Sequence, residues 1–140
     1  MKKIFLLTLI LITVVIILIL LLTWFGIKPK NTSSLVGTYD ATSSFANEIL
    51  VLDASGKFTQ QVNFSASGKV VNTSGPWLYD SSDGTVCFEN GFLFVMTGFQ
   101  ELSSDAEKPQ TDAVVFDVRE SRGNVYIGDD KFILYKRRKK

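Results

Sequence analysis

The chain has 140 residues, 15 Lys and Arg, 14 Asp and Glu, one Cys and no His, for a formal net charge of +1. That length suits one ordinary domain. Without His, neither a Ser-His-Asp nor a Cys-His catalytic arrangement can be built, and His-containing zinc sites are excluded with them. A single Cys makes no intrachain disulfide and no all-Cys metal site.

The near-neutral sum conceals sorted charges. Residues 35–135 hold all 14 acids but only six bases, a balance of −8. The remaining bases lie at the ends: Lys2, Lys3, Lys28 and Lys30 at one, and Lys136, Arg137, Arg138, Lys139 and Lys140 at the other.

Met1-Lys2-Lys3 is a short basic flank. From Ile4 to Phe25 the chain is apolar except for three threonines and carries no charge. As a helix at about 1.5 Å per residue this run reaches about 33 Å, enough for a hydrocarbon core. Trp24 stands where an indole sits at the lipid–water boundary, and Gly26 and Pro29 end the helix. The rival reading is a cleaved signal peptide, but the run exceeds a typical signal core and no small-x-small site follows it. The expectation is an uncleaved anchor over residues 4–27, contacting membrane lipid. The bases flanking it lean towards a cytoplasmic N-terminus, which places the rest on the periplasmic or extracellular side of an inner (cytoplasmic) membrane.

Residues 28–34 read as a polar linker, and residues 35–135 as an all-β domain. Runs rich in Val, Ile, Phe and Tyr predict strands at Val36–Ala41, Glu48–Asp53, Lys57–Phe64, Lys69–Asn72, Trp77–Asp80, Thr85–Glu89, Phe92–Phe99, Ala113–Arg119, Asn124–Ile127 and Lys131–Lys136. Phe45 to Asn47 allow one helical turn. The turns carry a small repeat. Ala54-Ser55-Gly56-Lys57 recurs as Ala66-Ser67-Gly68-Lys69, with echoes at Asp83-Gly84 and Arg122-Gly123. Glycine tolerates the positive φ of tight hairpins, so the expected architecture is an antiparallel meander.

Alternation predicts the inward faces. Phe58, Val62 and Phe64 share one face of their strand, with Gln60 as the polar exception. Val114, Phe116 and Val118 align, as do Phe132 and Leu134. Val86-Cys87-Phe88 reads as a buried strand, with Cys87 an inert core thiol. Phe92-Leu93-Phe94-Val95-Met96 is apolar on both faces, as a strand covered on both sides would be. One apolar face per strand suits a closed barrel of about eight to ten strands, or else a two-sheet sandwich.

Leu35-Val36-Gly37-Thr38-Tyr39, then Glu48 to Leu52, Gly56-Lys57-Phe58-Thr59 and Gly75-Pro76-Trp77 resemble the small lipocalin-like (calycin-type) barrels of bacterial envelope proteins. Tyr39 stands where that family's opening motif usually has Trp. The resemblance spans most of residues 35–135 and implies a small barrel, of a kind whose members often bind small hydrophobic ligands.

Phe58, Phe64, Trp77, Phe88, Phe94 and Phe116 are therefore the candidates for a ligand cavity or, in so small a barrel, for the core itself. The tail Lys136, Arg137, Arg138, Lys139 and Lys140 is a candidate contact for anionic lipid, each base near the surface adding about 1 kcal/mol. Nucleic acid is not an expected partner, since the acidic domain repels phosphate. No catalytic, cofactor or metal residues stand out, and no cofactor is expected. The expected function is a membrane-anchored, non-enzymatic binding module. Two alternatives are an immunity-type inhibitor that neutralises a toxin at the envelope, and a carrier of a small hydrophobic ligand.

Overall fold

A computed structural model describes residues 10–17, 28–95, 109–129 and 133–139. Eight antiparallel strands form a closed barrel: β1 (Gly37–Thr42), β2 (Ala46–Leu52), β3 (Lys57–Phe64), β4 (Val70–Asp80), β5 (Thr85–Phe88), β6 (Val114–Ser121), β7 (Asn124–Gly128) and β8 (Leu134–Arg137). Each strand pairs with the next, and β8 closes on β1 through Tyr39 opposite Arg137 and Asp40 opposite Lys136. Closure removes the exposed edges that an open sheet would present. An even number of up-and-down strands also brings the start of β1 and the end of β8 to the same end of the barrel.

The hairpin turns follow the local sequence. Asp53 Oδ1 accepts hydrogen bonds from the backbone N–H of Ser55 and Lys57, each at 2.9 Å, and Gly56 takes a left-handed φ of 82°. Asp80 caps the β4–β5 turn in the same way through the N–H of Ser82 at 2.8 Å. Alternation along β3 is strict, with Phe58, Gln60, Val62 and Phe64 buried and the residues between them exposed.

Five details depart from the sequence reading. The segments expected at Lys69–Asn72 and Trp77–Asp80 are one continuous strand, β4. It survives Gly75-Pro76 because it changes neighbours there, pairing with β3 as far as Pro76 and with β5 from Trp77 onward. A proline lacks the N–H for a continuous ladder but is tolerated where the ladder switches. Secondly, Phe92–Val95 is not a wall strand. It folds into the barrel, which is why it is apolar on both faces; the rest of the expected Phe92–Phe99 strand lies outside the described residues. Thirdly, the inward residues near the C-terminus are Ile133 and Tyr135, with Leu134 only half-buried, so the last strand is turned by one residue from the expected phase. Phe132 lies outside the described residues. Finally, Val86 and Phe88 point in, so Cys87 points out. Phe45 precedes a strand, not a helical turn.

The expected linker is part of the folded unit. Thr32–Ser34 forms a 3-10 turn capped by Asn31, and Leu35 is fully buried in the core. The tail assignment shifts as well, since Lys136 and Arg137 belong to β8. Most of the expected anchor, Trp24 included, lies outside the described residues; residues 10–17 are helical with exposed apolar side chains. Among the described residues no helix is long and apolar enough to cross a membrane.

Candidate functional site

The interior is built around aromatic rings. Phe92 stacks on Phe88 at 4.5 Å between centroids, and Phe58 meets Phe88 edge-on at 5.0 Å. Phe116 closes on Phe92 at 5.5 Å, and Tyr135 stands beyond at 6.3 Å. Offset and edge-to-face contacts at these separations are favourable, adding about 0.5–1.5 kcal/mol per pair to the burial itself. Of the six candidate aromatics, Phe58, Phe64, Trp77 and Phe88 are fully buried, Phe116 nearly so and Phe94 partly. Phe64 belongs to a second cluster with Ala46, Val62, Leu93 and Val95.

The inward segment reaches this position over a glycine. A Cβ on Gly75 would lie 2.3 Å from the Asn90 carbonyl oxygen, so only a residue without one lets the chain cross the inner face of β4 there. Past that crossing, Gly91 N–H donates to the Gln110 carbonyl at 2.9 Å and Gln110 N–H to the Phe92 carbonyl at 2.7 Å.

A polar cluster sits in the middle of the apolar core. Gln60 Oε1 accepts from the Leu93 N–H at 2.9 Å, and Gln60 Nε2 donates to the Leu93 carbonyl at 2.8 Å. Nε2 also lies 2.9 Å from Glu48 Oε2 and 3.1 Å from the Tyr135 hydroxyl, while Thr73 donates to Oε1 at 3.1 Å. The Tyr135 hydroxyl donates to Glu48 Oε2. Glu48 is 2 % exposed, and its Oε1 has no hydrogen-bond partner among the described residues. Burial pushes the Glu48 carboxyl up to about 7, against the two donors that favour its charged form. Burial likewise raises Tyr135, reinforced by the neighbouring carboxyl. The sequence marks Gln60 as an anomaly on an apolar face; Glu48 carries no such mark, since an acid in a strand ordinarily reads as a solvent-facing residue.

Three surface features complete the description. An open cleft of about 600 Å³ lies between the inward segment and β6, with Phe94, Val114, Phe116, Asp112 and Asp129 among its lining residues. On the outer wall Leu78, Cys87 and Val115 form one cross-strand row, with Leu78 and Val115 59 % and 57 % exposed. At the end where β1 begins and β8 ends, Arg137 donates to the Ser34 carbonyl at 2.7 Å and the Val36 carbonyl at 2.5 Å, and Arg138 forms a two-pronged ion pair with Asp40 at 2.6 Å per contact. Two candidate lipid-contacting bases are thus engaged within the fold. Lys136 and Lys139 are exposed, and Lys140 lies outside the described residues.

Among the described residues no group of three or more Cys, Asp or Glu is placed to hold a metal ion. Compared with protein-family models, curated proteins and solved structures, the chain matches none.

Proposed function

We propose that the chain is a membrane-anchored, non-enzymatic binding module whose small lipocalin-like barrel, outside the membrane, meets a protein partner with its outer surface. The observation that carries this reading is the filled interior. Phe92 occupies the space that a ligand would need, and Gln60 fastens the segment that brings it there. A carrier needs a cavity of about 300 Å³ or more. The up-and-down strand order supports the lipocalin-like resemblance, while the aromatic packing argues against cargo in the barrel centre. The 22-residue apolar run supports the anchor.

The cleft beside β6 combines apolar lining residues with the exposed Asp112, a combination suited to a basic side chain with an aliphatic stem. This favours, as a second reading, an immunity-type inhibitor whose partner is a basic toxin.

The test uses the full chain. A photo-crosslinking residue at Ala113 or Val115 is expected to give a discrete protein adduct in cells, lost on Asp112→Lys. Native mass spectrometry of the purified chain is expected to show no stoichiometric small ligand. A bound apolar molecule without any protein adduct would turn the reading towards a carrier.

A further inference from the structure

Resting on the anchored reading above, we infer that the barrel end where β1 begins and β8 ends lies against the membrane headgroups and presents Lys30, Arg122 and Lys139 to anionic lipid. Distance along the chain limits how far the barrel can stand from the bilayer. The apolar run ends at Phe25, and only three residues later Lys28 is already part of the barrel. Lys28 Nζ donates to the Asp83 carbonyl at 2.7 Å, and its stem packs on Gly84. The Tyr79 hydroxyl donates to the Pro29 carbonyl at 2.7 Å, and Pro29 is buried. Arg137 holds the carbonyls of Ser34 and Val36, and the Tyr39 hydroxyl donates to that of Leu35 at 2.6 Å.

A chain that leaves a bilayer and is bound so soon to the β4–β5 turn has no slack. That turn must stand within a side-chain length of the headgroups. The same end carries the β2–β3 turn at residues 53–56 and the β6–β7 turn at 122–123. The opposite end carries the β3–β4 turn at residues 65–69. β2, seven residues long, separates the two ends by roughly 20 Å, at about 3.3 Å per residue and allowing for tilt.

The charges at this end are mixed but lean positive. Asp53, Asp80, Asp83 and Glu120 share it with Lys28, Lys30, Lys57, Arg122, Arg137 and Lys139, while Arg138 and Asp40 offset one another. Asp53 and Asp80 are also occupied by the N–H groups of their own turns. The tether therefore sets the pose, and the bases add a preference for anionic lipid.

The internal repeat supplies a matched pair of probes, because Ala54 and Ala66 occupy the same local sequence at opposite ends and both are exposed. In the full Cys87→Ser chain, Ala54→Cys or Ala66→Cys would carry a fluorophore in nanodiscs containing a headgroup-bound quencher. Quenching is expected at position 54 and lost at position 66. Ser81→Cys should behave as position 54, and Ser44→Cys as position 66. Exchanging anionic for zwitterionic lipid, or reversing Lys30, Arg122 and Lys139 to Glu, should weaken the quenching at 54 without releasing the chain from the disc. Equal quenching at both ends overturns the pose while leaving the anchor intact. A headgroup-independent signal overturns the lipid preference. A chain that does not enter nanodiscs at all overturns the anchor, and the pose with it.

Discussion

Gln60 holds the Leu93 peptide by both of its polar groups, taking the N–H at 2.9 Å and giving to the carbonyl at 2.8 Å. A side-chain amide here does what a neighbouring strand does elsewhere in the barrel. The inward segment needs this because a buried peptide without partners would cost several kcal/mol. Gln60→Leu keeps the volume but removes both contacts and a donor to Glu48. It is expected to lower stability by about 2–4 kcal/mol in urea denaturation, and to speed hydrogen exchange at the Leu93 amide more than at the β2 and β3 amides around it.

Glu48 sets the pH dependence. Its carboxyl stands at about 7 in the fold, against an ordinary 4.5. A raised acid binds its proton more tightly in the folded state than in the unfolded chain. The stability it contributes is therefore fully present below about 4.5 and is lost as pH rises through about 7. At 1.36 kcal/mol for each pKa unit, the loss comes to about 3 kcal/mol. Stability measured by urea titration should fall across this window in the native chain and stay much flatter in Glu48→Gln. Asp40, Asp53 and Asp80, all held below the usual carboxylate range by hydrogen bonds, act in the opposite sense. Their contribution is present above about 4 and lost in more acid solution, outside the Glu48 window. A native profile as flat as that of Glu48→Gln between about pH 5 and 8 would refute the assignment.

Gly75 is the point where the inward segment passes β4, and a methyl there meets the Asn90 backbone oxygen at 2.3 Å. Backbone cannot swing aside as a flexible side chain can. Gly75→Ala is therefore expected to expel or shift the segment and to cost about 3 kcal/mol or more. The companion measurement is Trp77 fluorescence, since that indole lies in the same buried cluster. Gly123→Ala serves as a control, because a Cβ there meets nothing within 4 Å and its cost reduces to backbone strain at a φ of 72°.

These three positions also show what a sequence discloses and what it does not. The strict alternation of Lys57–Phe64 and the Gly-containing turns made β2, β3 and their hairpin readable, because both signals are local. The inward segment was not readable as such. Phe92 to Val95 is apolar on both faces, and a central wall strand and a chain inside a barrel share that pattern. Gln60 stood out as a polar residue on an apolar face, yet its partner, the Leu93 peptide, is 33 residues away and carries no side-chain signature. Glu48 and Tyr135 are 87 residues apart and meet only because β8 closes the barrel. The shifted phase of β8 has the same origin. Leu134 outranks Tyr135 on hydrophobicity, but it is the Tyr135 hydroxyl that faces Glu48.

The two consecutive arginines of the C-terminal run should differ sharply on substitution. Arg138 forms a well-aligned ion pair with Asp40, but both side chains are about half exposed. Water and salt screen such pairs, so Arg138→Ala is expected to change stability by no more than about 1 kcal/mol. Arg137 is half-buried and donates to two backbone carbonyls, those of Ser34 and Val36, on either side of the buried Leu35. Arg137→Met preserves the stem and removes the donors. It leaves both carbonyls to find water at the edge of the core, where Leu35 is buried between them. The expected loss is about 2–3 kcal/mol, as for hydrogen bonds to a charged group. Hydrogen exchange should localise the change, rising at Leu35 and in β1 after Arg137→Met and staying at the native rate after Arg138→Ala. Equal effects from the two variants would mean that Arg137 does not brace the segment that leads into β1.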